Sequence, residues 1–334
     1  MRRLMTLLLA VTLLAAACGS DEEAAPSASD DESVTSTEVA GESTTSDTAS
    51  GDDGSGSDPD SEVAAFEGPL TIGAIPDQDP EILVRNYDLL ASYLAEEVGV
   101  DVEFEPVTEY DAAVTAFRVG DLDLVWFGGL TGVQARLQVE GAEAIAQRDI
   151  DETFTSVFIA STDSGIDPID DVAGLSALAG HSLTFGSDSS TSGRLMPQSF
   201  MDEAGVALED LDGEPGFSGS HDATIELVEA GTFEVGALNS QVWAARVEEG
   251  EVDLDKVQLI FETPTYFDYH WVARPELGDD LNTEVADALK NLDASDPEQA
   301  EILEFFGAGS FIDTNSENYA SIEAVGREIG KIDG

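Results

Sequence analysis

Basic residues are scarce in this chain of 334 residues. Only 13 Lys and Arg residues stand against 70 Asp and Glu residues, so the formal net charge at pH 7 is −57. Nucleic acid is excluded as a partner, since its binding needs a basic protein face. We interpret the acidic excess as a solvated surface suited to a halophilic setting, because a Debye length of about 3 Å at 1 M salt screens long-range repulsion.

Cysteine and histidine are also rare. The only cysteine is Cys18, so the chain cannot form an intrachain disulfide bond. The histidines lie far apart in the sequence and lack the spacing of a metal site: His181, His221 and His270. We therefore expect neither a metal nor another cofactor.

The residue types of a hydrolase triad occur in the chain without the arrangement of one. His221 and Asp222 are adjacent, so their side chains point in different directions and cannot act together on Ser192. The sequence also lacks a Gly-x-Ser-x-Gly elbow. It therefore predicts that the protein is not an enzyme.

The apolar run at the N-terminus, residues 4–14, is too short for a stable membrane span. Two arginines precede it and three alanines follow it, which predicts a signal peptide over residues 1–17. Cys18 comes directly after the alanines and resembles the cysteine of a lipobox, which becomes the lipidated N-terminus of a mature lipoprotein. Leu14 lies four rather than three residues before it, and an ordinary signal peptide with a chance cysteine is the alternative.

Residues 19–68 differ from the rest of the chain in composition. They are rich in Ser, Thr, Asp, Glu, Gly and Ala and contain neither Lys nor Arg. Such a stretch cannot bury enough apolar area to offset the entropy of ordering, and its like charges extend it. We expect a lipidated cysteine and disordered acidic linker over residues 18–68, which holds a domain away from the membrane.

Strands and helices alternate over the remaining residues, about 266 in number. The first five predicted elements are strand 70–76, helix 82–98, strand 100–107, helix 110–119 and strand 122–127. This order is typical of a parallel sheet covered by helices, whose ligands bind beyond the carboxyl ends of the strands. Asp77, Tyr110 and Trp126 lie at such positions; either aromatic residue could instead belong to the core.

Further patterns continue the alternation. The predicted strands are 155–161, 183–185, 233–238 and 257–262. The predicted helices are 194–204, 223–229, 281–292, 297–307 and 316–329.

A run of four hydroxyl residues, Ser189 to Ser192, precedes one of these helices. Proline is tolerated in the first turn of a helix, so Pro197 predicts that the helix begins just after the run. Free N–H groups and the helix dipole favour an anion there, and hydroxyl donors can follow a tetrahedral oxyanion. We interpret the run as an oxyanion-binding cradle; the alternative is a helix cap, for which one hydroxyl suffices.

His221 stands at the start of a second helix, directly after Gly219 and Ser220. A histidine donor there can bond an oxyanion, whereas the alternative is that it caps its own helix or packs. The stretches 185–197 and 218–223 resemble the binding loops of the phosphate/phosphite/phosphonate substrate-binding proteins of ABC importers, the phosphonate-binding-protein family. A Gly-x-Ile-Pro start at 73–76 and an Asp-Leu-x-Trp-Phe-Gly segment at 123–128 are also similar to this family.

This resemblance implies an α/β fold of the type II periplasmic-binding-protein class, with two lobes and a ligand cleft between them. Each lobe is expected to be a mostly parallel sheet covered by helices. The expected substrate-binding domain is 69–334, with lobe one at 69–158 and 265–334, lobe two at 159–264, and closure about a hinge. The side chains expected at the ligand are Ser190, Thr191, Ser192, His221, Tyr110 and Trp126.

Two further positions bear on the class of ligand. Family members that bind an aminoalkylphosphonate hold its ammonium with acidic side chains; one of these positions corresponds to Asp268 and the other to Gln241, which is neutral here. An unpaired buried charge is costly, which disfavours aminoethylphosphonate. Asp268 can instead accept a hydrogen bond from a protonated oxygen of phosphate, phosphite or a simple phosphonate, and would then select against sulfate.

The resemblance thus implies a monomeric, extracytoplasmic lipoprotein on the cell membrane that binds a phosphorus oxyanion and delivers it to an ABC permease. The alternative is an anion-sensing ectodomain that binds the same ligand without transport.

Overall fold

The structure, a computed structural model, describes residue 66 and residues 68–333. The predicted signal peptide, the lipidation of Cys18 and nearly all of the linker lie outside these residues. The strands are β1 (Leu70–Ala74), β2 (Val102–Phe104), β3 (Leu124–Phe127), β4 (Glu143–Arg148), β5 (Ser156–Ser161), β6 (Leu183–Phe185), β7 (Gly216–Phe217), β8 (Val235–Asn239), β9 (Val257–Glu262), β10 (His270–Ala273) and β11 (Phe311–Ile312).

The α-helices cover the faces of the strands and fill the C-terminal third of the domain. They are α1 (Pro80–Val98), α2 (Tyr110–Val119), α3 (Gly129–Gln138), α4 (Met196–Glu203), α5 (His221–Glu229), α6 (Ser240–Glu249), α7 (Gly278–Lys290), α8 (Pro297–Phe306) and α9 (Ala320–Glu328). Of the helices that the structure describes, none has the length and apolar character that a membrane crossing requires.

The strands form two sheets. The first has the order β11-β4-β10-β3-β1-β2, and the second has the order β7-β6-β8-β5-β9. Both sheets are mixed, which corrects the expectation of mostly parallel pairing. β1 pairs in parallel with β2 and β3, whereas β10 runs antiparallel between β3 and β4 because the chain re-enters the first sheet from the second.

The chain passes between the sheets twice. β4 and β10 belong to the first sheet and β5 and β9 to the second, so residues 149–155 and 263–269 are the two crossing segments. They pair with each other: the N–H groups of Phe154 and Tyr266 each donate to the other's carbonyl oxygen at 3.0 Å. The predicted lobe bounds stay a proposal, with one adjustment. The whole of β5, from Ser156, lies in the second sheet, ahead of the predicted boundary after residue 158.

Local signals account for the first helix. Asp79 caps α1, since its Oδ1 accepts the N–H groups of Glu81 and Ile82, and Pro80 occupies the first turn. Gly99 ends the helix with a φ of 72°, a left-handed conformation that favours glycine. Leu83, Tyr87, Leu90 and Leu94 recur every three or four residues and are buried, so one apolar face of α1 packs on the first sheet.

The helix after the hydroxyl run begins earlier than predicted. Ser190 is its N-cap, and a π turn over Thr191–Leu195 leads into α4. Thr191 and Ser192 therefore belong to the first helical turn instead of preceding it, and Pro197 lies beyond that turn. Proline is accommodated because the Met196 N–H bonds the Thr191 carbonyl, which leaves the next carbonyl groups to partners outside the helix.

Candidate functional site

Three helical starts meet between the two sheets. α2 begins at Tyr110, α3 at Gly129 and the π turn at Thr191. The Leu130 N–H donates to Thr191 Oγ1 at 2.9 Å, and the Gly129 N–H donates to Asp268 Oδ1 at 2.9 Å. The hydroxyl run of one sheet therefore touches a helix start and a crossing segment that belong to the other sheet. N–H groups in a first helical turn have no intrahelical acceptor, so this meeting point favours negative charge.

Glycine at position 128 allows this close approach. A Cβ atom there would lie 3.1 Å from Thr191 Oγ1 and 3.4 Å from Asp268 Oδ1. A side chain would therefore push the hydroxyl run away from the start of α3. The Trp126-Phe127-Gly128 segment contributes to the site mainly because Gly128 has no side chain.

Three buried polar atoms at the site have no hydrogen-bond partner among the residues that the structure describes. They are Tyr110 Oη, Ser192 Oγ and Asp268 Oδ2, on residues that are 2%, 1% and 0% exposed. A buried polar atom left unpaired costs about 1–3 kcal/mol, so native structures rarely keep one without a purpose. Three together mark a place for a polar ligand.

Two further hydroxyl groups keep a proton to donate. Ser190 Oγ accepts the Gly193 N–H at 2.9 Å, and Thr191 Oγ1 accepts the Leu130 N–H. Because the hydroxyl oxygen atoms are the acceptors in these bonds, neither bond uses the hydroxyl proton. Ser190 is thus a helix cap and a potential ligand donor at once.

The Asp268 carboxyl is fully buried. Burial raises its pKa to about 7, against the opposing effect of the Gly129 N–H bond. Near neutral pH the carboxyl can therefore either donate a hydrogen bond or accept one. Burial also raises the pKa of Tyr110 well above its usual range, so this hydroxyl stays a neutral donor.

His221 is the first residue of α5 and is fully buried. Its Nδ1 accepts the Asn239 N–H at 3.3 Å, which assigns the ring proton to Nε2. Burial lowers its pKa to about 4, so the ring is neutral at pH 7. A Cβ atom on Gly193 would lie 3.2 Å from His221 Cε1, which places the ring against the hydroxyl run.

Gln241 lies apart from these residues. Its side chain is exposed on the first turn of α6, and it lines an outer cavity of about 220 Å³. Trp126 lies between the two regions, since it is 3% exposed, lines the same cavity and stacks on Tyr269 at 5.7 Å. Six of the predicted site residues therefore lie around the three buried atoms that lack partners among the described residues. Gln241 does not belong to this group, and Trp126 lies between the group and the outer cavity.

Tyr269 is a buried neighbour of the site that the sequence does not single out. Its hydroxyl donates to Asp77 Oδ2 at 2.9 Å, accepts from Asn239 Nδ2 at 3.1 Å and lies 3.5 Å from His221 Nε2. Asp77 and Asn239 come at the carboxyl ends of β1 and β8, where the topology rule points. Tyr269 does not follow the carboxyl end of a strand. Its position at the site depends on the path of the second crossing segment.

Comparison with known proteins identifies the family of this chain. A family model described as "ABC transporter, phosphonate, periplasmic substrate-binding protein" matches residues 72–319. A probable ABC transporter phosphite binding protein of Prochlorococcus marinus (strain MIT 9301) is 45% identical over 268 residues, which cover 79% of this chain and 90% of that protein. Its solved structure in complex with methylphosphonate matches with a TM-score of 0.76 over 79% of this chain and 98% of that chain.

More distant proteins extend the likeness. The phosphate-import protein of Mycolicibacterium smegmatis is 27% identical over 255 residues, 72% of this chain and 77% of that protein. A binding protein component of a Pseudomonas aeruginosa ABC phosphonate transporter is 19% identical, covers 78% of this chain and 86% of that chain, and has a TM-score of 0.67. The second likeness concerns the fold alone, and with the Prochlorococcus structure it confirms the predicted type II periplasmic-binding-protein fold.

The match extends over most of the folded domain, and the family consists of solute-binding proteins, not enzymes, as the sequence predicts. This chain belongs to the family of periplasmic substrate-binding proteins of phosphonate ABC transporters.

Proposed function

We propose that this protein captures a small phosphorus oxyanion, namely phosphate, phosphite or a simple phosphonate, between its lobes and delivers it to an ABC permease. The observation that carries the proposal is a set of three buried atoms beside the start of a helix that have no hydrogen-bond partner among the described residues: Tyr110 Oη, Ser192 Oγ and Asp268 Oδ2. The names of the relatives at 45% and 27% identity, which refer to phosphite and phosphate, support the same class of ligand.

Neutral donors hold the anion in this proposal. The hydroxyl groups of Tyr110, Ser190, Thr191 and Ser192 and the Nε2–H of His221 supply hydrogen bonds, and the first turn at Thr191 adds backbone N–H groups. These interactions act at short range in a water-poor site, so they are effective despite a net charge of −57. Neutral donors also avoid burying a cation in an acidic protein.

Asp268 sets the protonation of the bound anion. As a carboxylate it needs a donor for Oδ2, and a monoprotonated phosphorus anion supplies one, whereas sulfate does not. As a carboxylic acid it donates instead and can accommodate sulfate. Because the pKa of Asp268 is about 7, discrimination between hydrogen phosphate, which keeps an O–H group, and sulfate should strengthen as the pH rises above 7.

Gln241 and Trp126 are proposed to face the substituent of the ligand rather than its oxyanion. Both line the outer cavity of about 220 Å³. Gln241 supplies no carboxylate at the position where the family members that bind an aminoalkylphosphonate have one, so aminoethylphosphonate is a poor ligand in this proposal.

The family is periplasmic, and we propose lipid anchoring through Cys18 as the form of its attachment to the membrane. The protein then acts as a tethered monomer that supplies one permease. Labelling of cells with a radioactive fatty acid tests the anchor: the label should enter the wild-type chain and be absent from Cys18→Ser. If Cys18→Ser still carries the label, the lipid is attached to another residue and the proposed anchor is wrong.

Calorimetric titration of the secreted chain in high salt tests the binding. The ligands are phosphate, phosphite, methylphosphonate, aminoethylphosphonate and sulfate. We expect micromolar or tighter binding of at least one phosphorus anion, weakened about 3- to 10-fold in Ser192→Ala and in His221→Ala and unchanged in the exposed control Ser176→Ala. A folded protein that binds none of the five anions would contradict the proposal.

A further inference from the structure

A chain of hydrogen bonds runs from the second crossing segment to the hydroxyl run. Ser156 Oγ donates to the Ser192 carbonyl oxygen at 2.7 Å, and the Tyr266 hydroxyl lies 2.6 Å from Ser156 Oγ. Ser156 has a single hydroxyl proton, which the carbonyl takes, so Tyr266 is the donor to Ser156. Burial raises the pKa of Tyr266 well above its usual range, which keeps the phenol protonated and able to donate.

The hydrogen bonds of the helix after the hydroxyl run explain why the Ser192 carbonyl needs this relay, the chain of bonds from Tyr266 through Ser156. In the π turn, the N–H groups of Leu195 and Met196 bond the carbonyl groups of Ser190 and Thr191. The next acceptor in the pattern is the Ser192 carbonyl, but its donor would be Pro197, which has no N–H. Without an outside donor, a buried carbonyl at the start of the cradle would be unpaired, and Ser156 supplies that donor.

The other end of the relay lies where the chain passes between the sheets. Tyr266 pairs through its backbone with Phe154, and the Ser156 N–H donates to Thr263 Oγ1 at 2.9 Å. Ser156 is fully buried and Tyr266 is 6% exposed. The position of the Ser192 peptide group is therefore tied to the paired crossing segments, about which the lobes would close.

We propose that Tyr266 is a positioning residue of the oxyanion site, which acts through Ser156 to hold the Ser192 peptide group and hydroxyl in their binding geometry. The inference rests on the proposed function, since it assigns a residue to that same site. Tyr266 need not touch the ligand for this role, and none of the motifs that resemble the family includes it.

Tyr266→Phe tests the role because it removes one oxygen atom and keeps the ring. The wild-type chain is titrated first with methylphosphonate; Tyr266→Phe should then bind about 3- to 10-fold more weakly, the effect of one net hydrogen bond. The matched control is Tyr93→Phe, which loses a hydroxyl bond of 2.7 Å to the Ala288 carbonyl outside the site and should bind as the wild type does. The ³¹P resonance of bound methylphosphonate should shift in Tyr266→Phe and stay unchanged in Tyr93→Phe.

A second variant separates positioning from general stability. Ser156→Ala should weaken binding at least as much as Tyr266→Phe, and the double variant should bind no more weakly than Ser156→Ala alone, because both residues act through one chain of bonds. Multiplied effects in the double variant would overturn the inference. So would unchanged affinity and an unchanged ³¹P resonance in Tyr266→Phe, whatever its melting temperature. A folded wild-type chain that binds no phosphorus anion would instead remove the proposed function, and this inference with it.

Discussion

Two fully buried aspartates lie on the two crossing segments and differ in how they are paired. Asp151 accepts from Arg148 Nε at 2.8 Å and Nη2 at 2.6 Å and from the Arg148 N–H at 3.0 Å, so both of its oxygen atoms are bonded. Asp268 uses one oxygen for the Gly129 N–H, and no other described residue bonds the second. Their backbones are joined, since the Asp268 N–H donates to the Asp151 carbonyl at 3.2 Å.

The comparison shows that burial does not by itself separate a structural carboxylate from a functional one. The Arg148 guanidinium group also donates to the Phe306 carbonyl and lies 4.8 Å from the centre of the Tyr269 ring, so the ion pair is satisfied within the protein. Asp268 retains unused bonding capacity that points to a ligand. The measure that matters is hydrogen bonding, because an unsatisfied buried group is unfavourable until a ligand satisfies it.

The largest expected effect is the loss of stability when the Arg148–Asp151 ion pair is broken. Arg148→Met leaves the Asp151 carboxylate buried without its partner, and should lower the free energy of unfolding by about 3–5 kcal/mol. Lys290→Met, which breaks an ion pair with the exposed Asp313, should cost less than about 1 kcal/mol. Urea unfolding of both variants measures the difference. Equal losses would remove the structural role assigned to the Arg148–Asp151 pair.

The next effect concerns the stability of Asp268→Asn as a function of pH. The pKa of Asp268 is raised in the folded state, so the stability linked to its proton is present at low pH and is lost as the pH rises through about 7. Asparagine has no such dependence. Between pH 5 and pH 8, the free energy of unfolding of the ligand-free variant should therefore rise relative to the wild type, on the order of 3 kcal/mol. A constant difference between the two proteins across this range would contradict the unpaired state of Asp268.

Ser192→Ala should act on binding more than on folding. Its hydroxyl has no partner in the described residues, so its removal should leave the melting temperature of the free protein unchanged or slightly raised. Affinity for methylphosphonate should fall about 3- to 10-fold if the hydroxyl makes one net hydrogen bond to the ligand, with Ser176→Ala as the control. A variant that melts earlier but binds normally would make Ser192 a structural residue like Asp151.

The smallest effect is expected at Gln241. Because its side chain is exposed on the outer cavity, Gln241→Ala should change the affinity for phosphite or phosphate less than about twofold. Titration of phosphite and a longer alkylphosphonate in parallel separates the two regions of the cleft. A tenfold loss for phosphite would place Gln241 among the oxyanion ligands.

Elements with strong local signals could be predicted from the sequence. β6 and β9 have the predicted bounds, and α2 runs from Tyr110 to Val119 as predicted, with Gly120 after it. β4, β10 and α3 were not predicted. α3 begins with Gly-Leu-Thr-Gly, its first residues are all buried, and so it lacks the one-sided apolar pattern of a surface helix. β10 is a short buried strand flanked by Tyr269 and Arg274, whereas the even shorter β6 is followed directly by Gly186, which marks its end.

The residues of the candidate site likewise divide into those that a short stretch of sequence can predict and those that it cannot. The hydroxyl run and His221 stand at helix starts, where the chemistry of a short stretch already favours an anion. Asp268 was predicted through the resemblance to the family, whereas Asp151 has its partner Arg148 only three residues away in the sequence. Ser156 and Tyr266, 110 residues apart, touch only after both crossing segments have formed.

The sequence by itself determined the α/β alternation, the family and the donor groups at the two helix starts, because these depend on neighbouring residues and local backbone geometry. Only the tertiary structure decided which polar groups are satisfied: among the described residues it joins Ser156 to Tyr266, leaves one oxygen of Asp268 without a partner and places Gln241 on the outer cavity. The physical reason is that burial and hydrogen bonding depend on what surrounds a side chain in space. In this protein the surroundings come from segments more than 100 residues apart, joined where the chain crosses between its two sheets.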